Sequence, residues 1–327
     1  MKLGITSTVV SEAIYAVGHT PVDLNNILVS RPDRDELLHK AEADGFPAAI
    51  CTWIKGIYSL VLSTSPDAVV VLISGDCSNT LALAELLTER KIKTIPFGYP
   101  NRPDPNLMAV EINRFADALG ASSQDIQNTK KRLDPIRAAL RELDRLAWQE
   151  GKISGRELFS MLVSSSDFCG DPESYYENLL HLIGKALDRP PRKNDVRLAV
   201  LGVPPIFDNL PEIMESLGAT IADFEVPRQF AMFEKLDYDL AERYAAYTYP
   251  YGARARALDI ETQVKLRNVH GAIHYVQTFC HRGIEDILIK EMLPVPVLAI
   301  EGDRPGPVDG RTETRLAAFV EMLRGRI

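Results

Sequence analysis

The stretch that decides the fold is DAVVVLISGDCSNTLALAELLTER, residues 67–90. Its unbroken apolar run AVVVLIS is typical of a strand buried on both faces of a parallel sheet. Ser74, Gly75 and Asp76 predict a turn, residues 80–90 carry apolar side chains at helical spacing, and residues 93–97 predict the next strand. Cys77 is therefore expected just beyond the carboxyl end of a buried strand.

The same alternation continues on both sides of this stretch. Towards the N-terminus, residues 11–17 predict a short helix closed by Gly18, and residues 20–24 predict a strand. Towards the C-terminus, we expect strands at residues 196–203, 220–226, 271–278 and 295–300, and helices at residues 210–217, 284–293 and 312–323.

Residues 106–189 show only helical periodicity. Within them, one face of residues 130–150 is apolar, as an amphipathic packed helix requires; it carries Leu133, Ile136, Leu140, Leu143 and Ala147. The cluster RPPRK at residues 189–193 predicts a boundary. At 327 residues the chain is longer than a single hydrophobic core usually supports. We predict an α/β fold of two lobes with parallel sheets and flanking helices (1–105 and 193–327), joined by a helical connector (106–192).

Composition excludes several classes of protein. With 37 basic and 45 acidic residues the net charge is -8, which disfavours nucleic acid or an anionic membrane surface as the main partner. No apolar stretch reaches the ~20 residues that span a bilayer, and residues 1–18 lack the pattern of an export signal. We therefore expect a cytoplasmic protein whose four cysteines are thiols.

Cys77 and Cys280 occupy matching places, each just beyond a predicted strand and before a predicted helix. Cys51 follows a short apolar run, so all three are expected at loop ends, where open α/β sheets bind ligands. Sulfur ligands suit iron–sulfur centres and zinc, but there is no CxxC motif and the wide spacing disfavours a local zinc finger. On spacing alone, plain burial of three small apolar side chains is the favoured interpretation.

The chain resembles the 2-hydroxyacyl-CoA dehydratase and benzoyl-CoA reductase subunit family. VSEAIYAVGHTPVDL at residues 10–24 is similar to the opening segment of that family, with Glu12, Gly18 and Pro21 matching. The family's first cysteine context is matched by Cys51, Thr52, Trp53 and Lys55. Its third cysteine and following strand are matched by Phe279, Cys280, Pro296, Leu298, Ile300, Glu301 and Asp303, and TRLAAFVEML at residues 314–323 looks like its closing helix.

This resemblance implies a [4Fe-4S] cluster held by Cys51, Cys77 and Cys280 in a cleft between the lobes. Three cysteines leave one iron free. Removal of water from a 2-hydroxyacyl-CoA takes a β-proton that is barely acidic, and one electron on the thioester gives a ketyl that expels the hydroxyl more readily. A cluster with an open iron can deliver that electron and bind the leaving oxygen. Cys169 matches no family cysteine, and we expect it to be buried or idle.

Other residues are candidates with a structural alternative beside each. His281 and Glu301, with Asp303 near them, are candidate catalytic acids; the alternatives are a helix start and a turn cap. Lys55 and Ser78 are candidate cofactor-binding residues that flank ligands; the alternatives are a solvated charge and a helix cap. Contact with CoA phosphates is considered for Arg254 and Arg256, but a solvated helix start is favoured for both.

The sequence has neither GxxxxGK[ST] nor GxGxxG, so we expect no ATP hydrolysis by the chain itself. The resemblance implies a separate ATP-dependent iron–sulfur activator protein, an acyl-CoA substrate, and either a second family subunit or a second copy of the chain. An alternative is a homodimeric reductase whose two copies hold a linked double-cubane cluster. A cluster-free scaffold is a third possibility. The acyl group, the type of dimer and the role of Cys169 are left open.

Overall fold

A computed structural model describes residues 1–192 and 195–327. The chain forms two compact units. Unit 1 comprises Met1–Ala138, Ser164–Tyr176 and Met232–Tyr251, and unit 2 comprises Ala139–Val163, Glu177–Ala231 and Gly252–Ile327. The predicted helical connector, residues 106–192, contributes residues to both units. Lys193, where the second lobe was predicted to begin, lies outside the described residues, and the predicted domain limits stay a prediction.

Unit 1 contains a four-stranded parallel sheet of order β2-β1-β3-β4. Its strands are β1 (Lys2–Ile5), β2 (Thr20–Asp23), β3 (Ala68–Ser74) and β4 (Thr94–Gly98). The first five residues of β3 are buried, as its unbroken apolar run predicted. The central strand β1 was not predicted, because KLGI is only four residues long and begins with a lysine.

Unit 2 repeats this arrangement with a parallel sheet of order β6-β5-β7-β8. Its strands are β5 (Val196–Leu201), β6 (Ala219–Phe224), β7 (Gly271–Gln277) and β8 (Val297–Gly302). The two parallel sheets with flanking helices confirm the predicted fold class. A cluster in a cleft between lobes stays a prediction.

Fifteen α-helices lie in the described residues. They are α1 (Ser11–Ala16), α2 (Leu24–Ser30), α3 (Arg34–Ala43), α4 (Thr52–Thr64), α5 (Ser78–Glu89), α6 (Pro105–Leu119), α7 (Ser123–Trp148), α8 (Gly155–Ser164), α9 (Pro172–Leu187), α10 (Leu210–Ser216), α11 (Glu225–Ala231), α12 (Leu240–Ala245), α13 (Ala253–Leu266), α14 (Glu285–Met292) and α15 (Gly310–Arg324). Residues 106–189, all described, contain helices and no strand, as predicted. The predicted apolar face of α7 is buried.

Helices pack on each sheet through buried apolar side chains. In unit 1, Ile57 and Tyr58 of α4 and Leu83 of α5 pack with Val69 and Val71 of β3. This packing fixes α4 and α5, whose N-terminal ends carry Cys51 and Cys77. Helix α4 was not predicted from the sequence. The core of unit 2 joins strand β5 to α13 and α14, through Leu201, Ile260 and Ile289 among others.

Candidate functional site

Cys77 and Cys280 stand at corresponding points of the two sheets. Cys77 lies three residues after β3 and is the N-cap of α5. Cys280 lies three residues after β7 and is the N-cap of the 3-10 turn His281–Ile284, which leads into α14. In each sheet this strand adjoins the point where strand order reverses, which is where open α/β sheets bind ligands. The predicted positions of both cysteines are confirmed.

Cys51 is the N-cap of α4, so all three cysteines begin a helical segment. Each of the three side chains is partly exposed. Cys51 and Cys77 belong to unit 1 and Cys280 to unit 2. Over residues 1–192 and 195–327, no group of three or more His, Cys, Asp or Glu side chains is arranged to hold a metal ion. Ligation by the three cysteines therefore stays a prediction.

The turn before Cys77 requires glycine. Gly75 has φ +86°, and a Cβ atom there would lie 2.7 Å from Tyr99 Cβ and 3.0 Å from Pro250 Cβ. Beyond the turn, Cys77 Sγ lies 3.6 Å from the hydroxyl of buried Thr80, which in turn donates to Asp76 Oδ2 at 3.0 Å. The thiol thus belongs to a small polar chain that includes a carboxylate.

Lys55 holds the segment that leads to Cys51. Its side chain is 3% exposed, and its Nζ donates to Glu42 Oε1 at 2.7 Å and to the Ala48 carbonyl at 3.3 Å. The interpretation of Lys55 as a solvated charge is therefore wrong, because the ammonium group is needed to pair a glutamate of α3. Whether it also contacts a cofactor stays a prediction. Ser78 is exposed at the first position of α5.

A buried arginine braces the helix that follows Cys280. Arg256 is 0% exposed; its Nε and Nη2 donate to Glu225 at 2.7 and 2.8 Å, and its Nη1 pairs with Glu285 at the start of α14. Glu225 also accepts the Gly202 N–H at 2.8 Å, just after β5. Both interpretations of Arg256, a phosphate contact and a solvated helix start, are wrong. Arg254 is exposed, so a phosphate contact and a solvated helix start both stay predictions for that residue.

Burial and charge oppose each other at Glu225. Burial alone would raise the pKa of this carboxyl, but the charge of Arg256 and its hydrogen bonds outweigh it, and the pKa is lowered. The glutamate is ionised as a result. The predicted strand at 220–226 ends earlier, at Phe224, and α11 begins with Glu225, which contacts Arg256.

The candidate acids are on the surface. His281 is exposed directly after Cys280, Glu301 is exposed in β8, and Asp303 is exposed just beyond that strand. Their catalytic roles stay predictions. Cys169, expected to be buried or idle, is exposed in the turn Phe168–Gly170 of unit 1, with φ +54°.

Sequence reasoning missed the partners of the cysteine segments. Thr80 lies three residues after Cys77, the spacing at which an N-cap residue and the third helical residue exchange hydrogen bonds, so a signal was present. Glu225 and Glu285 lie 31 and 29 residues from Arg256. No local pattern connects residues so far apart.

A sequence model of the family described as "2-hydroxyglutaryl-CoA dehydratase, D-component" matches residues 6–323. The chain belongs to this family. The matched range includes Cys51, Cys77 and Cys280, and it confirms the resemblance inferred from the sequence motifs. As a D-component family member, the chain is assigned as a component of a 2-hydroxyacyl-CoA dehydratase system.

The chain also has a weak similarity to a solved structure. The chain is similar to the UDP-GlcNAc 2-epimerase of Methanocaldococcus jannaschii, crystallised with UDP-GlcNAc and UDP, at 18% identity, covering 99% of this chain and 92% of that chain, with a TM-score of 0.24. A similarity this weak carries no argument about function. None of the curated proteins matches the chain. No helix of the described D-component residues is long and apolar enough to cross a membrane.

Proposed function

We propose that this D-component family chain is the iron–sulfur component of a 2-hydroxyacyl-CoA dehydratase, with one [4Fe-4S] cluster held by Cys51, Cys77 and Cys280. The family match over residues 6–323 carries the proposal. The donor set supports it, because three partly exposed thiols are soft ligands of the kind that hold iron–sulfur clusters. Metal binding commonly organises ligands that are not assembled without it.

When bound, such a cluster supplies low-potential electrons and a Lewis-acidic iron. The chain's own residues would hold the ligands in place. Lys55 fixes the segment before Cys51 through the Ala48 carbonyl, and Arg256 fixes the start of α14 after Cys280. His281 and Glu301, both exposed, are the side chains that we propose to move protons to and from the substrate.

The partners are part of the proposal. By the family resemblance, the electron would come from a separate ATP-dependent iron–sulfur activator protein. The chain itself has no phosphate-binding loop of the GxxxxGK[ST] type, so it is not expected to hydrolyse ATP. An acyl-CoA is the proposed substrate, and a second family subunit or a second copy of the chain would complete the enzyme.

The test is to purify the chain without oxygen and to count iron and acid-labile sulfide. We expect about four iron atoms per chain. Cys51→Ala, Cys77→Ala and Cys280→Ala should each lose most of the iron and the brown absorbance. Cys169→Ala is the matched control, because it removes a thiol from outside the proposed ligand set, and it should keep both. Full iron retention by any of the first three variants would overturn the ligand assignment.

A further inference from the structure

The polar chain Cys77–Thr80–Asp76 contains fewer hydrogens than acceptors. Thr80 is buried, and its hydroxyl carries a single hydrogen. A carboxylate only accepts, so the 3.0 Å contact between Thr80 Oγ1 and Asp76 Oδ2 uses that hydrogen. The contact of 3.6 Å between Thr80 Oγ1 and Cys77 Sγ is then made with the hydroxyl lone pairs. A protonated Cys77 can donate into them, but a thiolate cannot.

A ligating Cys77 would therefore compete with Asp76 for one hydrogen. A charged oxygen is the stronger acceptor, and it lies closer to the hydroxyl than the sulfur does. The carboxylate also places negative charge within about 7 Å of Sγ, because both contacts share Thr80 Oγ1. Loss of a hydrogen bond to sulfur and added negative charge both lower the reduction potential of an iron–sulfur cluster.

We propose that Asp76, acting through Thr80, lowers the reduction potential of the cluster bound by Cys77. The inference rests on the proposed function and deepens it, since Asp76 and Thr80 act as tuning residues behind a ligand. The segment after Cys280 is arranged differently, because Arg282 follows that cysteine and pairs with Glu285 at 2.9 Å.

The experiment is a redox titration of the anaerobic, iron-loaded chain, followed by its EPR signal. Asp76→Ala frees the hydroxyl hydrogen for the sulfur and removes the charge, so the potential should rise by the equivalent of about tenfold in the one-electron equilibrium, about 59 mV. Asp76→Asn keeps the shape and removes the charge, and should also raise the potential. The control Glu89→Ala removes an exposed acid from the far end of the same helix and should leave the potential unchanged.

A double-mutant cycle separates tuning from a structural role. In Thr80→Val, no hydroxyl remains to be freed, so Asp76→Ala should raise the potential less than it does in the unaltered chain. Iron counts on every variant precede the titrations. Failure of the unaltered chain to bind iron would overturn the proposed function and this inference with it. Full iron content with unchanged or lowered potentials in both Asp76 variants would overturn this inference alone.

Discussion

β2 in unit 1 and β6 in unit 2 are corresponding edge strands of the two sheets. Buried carboxylates lie at the carboxyl end of each, but their neighbours carry opposite charges. Asp23, the last residue of β2, donates its backbone N–H to the carboxylate of Asp167 at 2.7 Å, and its own carboxylate accepts from Ser166 at 2.7 Å. In unit 2, Asp223 accepts from Arg228 Nε at 3.0 Å, and Glu225 is held by Arg256. The same topology therefore places a carboxylate beside another carboxylate in unit 1 and carboxylates beside arginines in unit 2.

The two settings predict opposite responses to pH. Burial, and then the charge of Asp23, raises the pKa of Asp167 to about 7. The folded state therefore holds a proton that the unfolded state has lost, and stability falls as pH rises from about 4 to about 7. The pKa of Glu225 is lowered instead, so its contribution is present above about pH 4.5 and is lost as pH falls through the folded-state pKa.

The largest expected effect is in unit 2. Arg256→Met should lower the free energy of unfolding by about 3–5 kcal/mol, because it leaves the buried carboxylate of Glu225 without its cation, whereas Glu285 keeps Arg282. Urea denaturation at neutral pH measures the loss. The control Arg254→Met alters an exposed arginine two residues away and should change stability by no more than about 0.5 kcal/mol. Equal effects of the two substitutions would contradict the buried ion-pair network.

Glu12 tests whether a carboxylate in unit 1 behaves like those of unit 2 once arginines surround it. Burial would raise its pKa, but Arg137 and Arg243 lower it, and the Tyr244 hydroxyl donates to it at 2.8 Å. Glu12→Gln should lower the free energy of unfolding by about 2–3 kcal/mol at neutral pH, by weakening the 2.7 Å contact with Arg137. Chemical denaturation measures this, with exposed Glu36→Gln as the control. A stability equal to that of the control would show that Glu12 is not ionised.

Asp167, and not Glu225, should account for the loss of stability as pH rises from about 4 to about 7. Unfolding followed from pH 4 to pH 8 should show Asp167→Asn with a flatter profile than the unaltered chain. Between pH 4 and pH 8 the variant should lose on the order of 1–2 kcal/mol less stability than the unaltered chain, because its side chain does not titrate. The pH dependence is compared, since both Asp167 oxygens accept backbone N–H groups, from Asp23 and Cys169, and the amide nitrogen can accept neither. Asp117→Asn, at an exposed position of unit 1, serves as the control. Parallel profiles for Asp167→Asn and the unaltered chain would remove the proposed contrast with unit 2.

The smallest expected effect concerns the turns before Cys77 and Cys280, which place different residue types in the left-handed conformation. A left-handed residue precedes each cysteine, Gly75 in unit 1 and Phe279, with φ +63°, in unit 2. Phe279 is 53% exposed, so its ring gains little from burial. Phe279→Gly should be more stable than Phe279→Ala by about 1 kcal/mol, since only glycine relieves the left-handed strain. Thermal unfolding of both variants measures the difference, and a more stable alanine variant would contradict the strain at this position.

The sequence by itself determined the elements that depend on neighbours along the chain. The apolar run of β3, the helical spacing after Cys77 and the apolar face of α7 each occur within a few residues, so periodicity sufficed to predict them. The cysteine positions after β3 and β7 followed from the same patterns. Strand β1 escaped prediction, since four residues with one lysine carry too weak a pattern.

Only the tertiary structure decided which charges are buried and with what partners. Arg256 looks like any arginine at a helix start, yet it is enclosed between Glu225 and Glu285, which lie about 30 residues away on either side. Likewise, Asp23 meets Asp167 across 144 positions of sequence. Burial multiplies the energy of such contacts because the surrounding dielectric is low, but which side chains become neighbours is set by how the chain returns to each sheet.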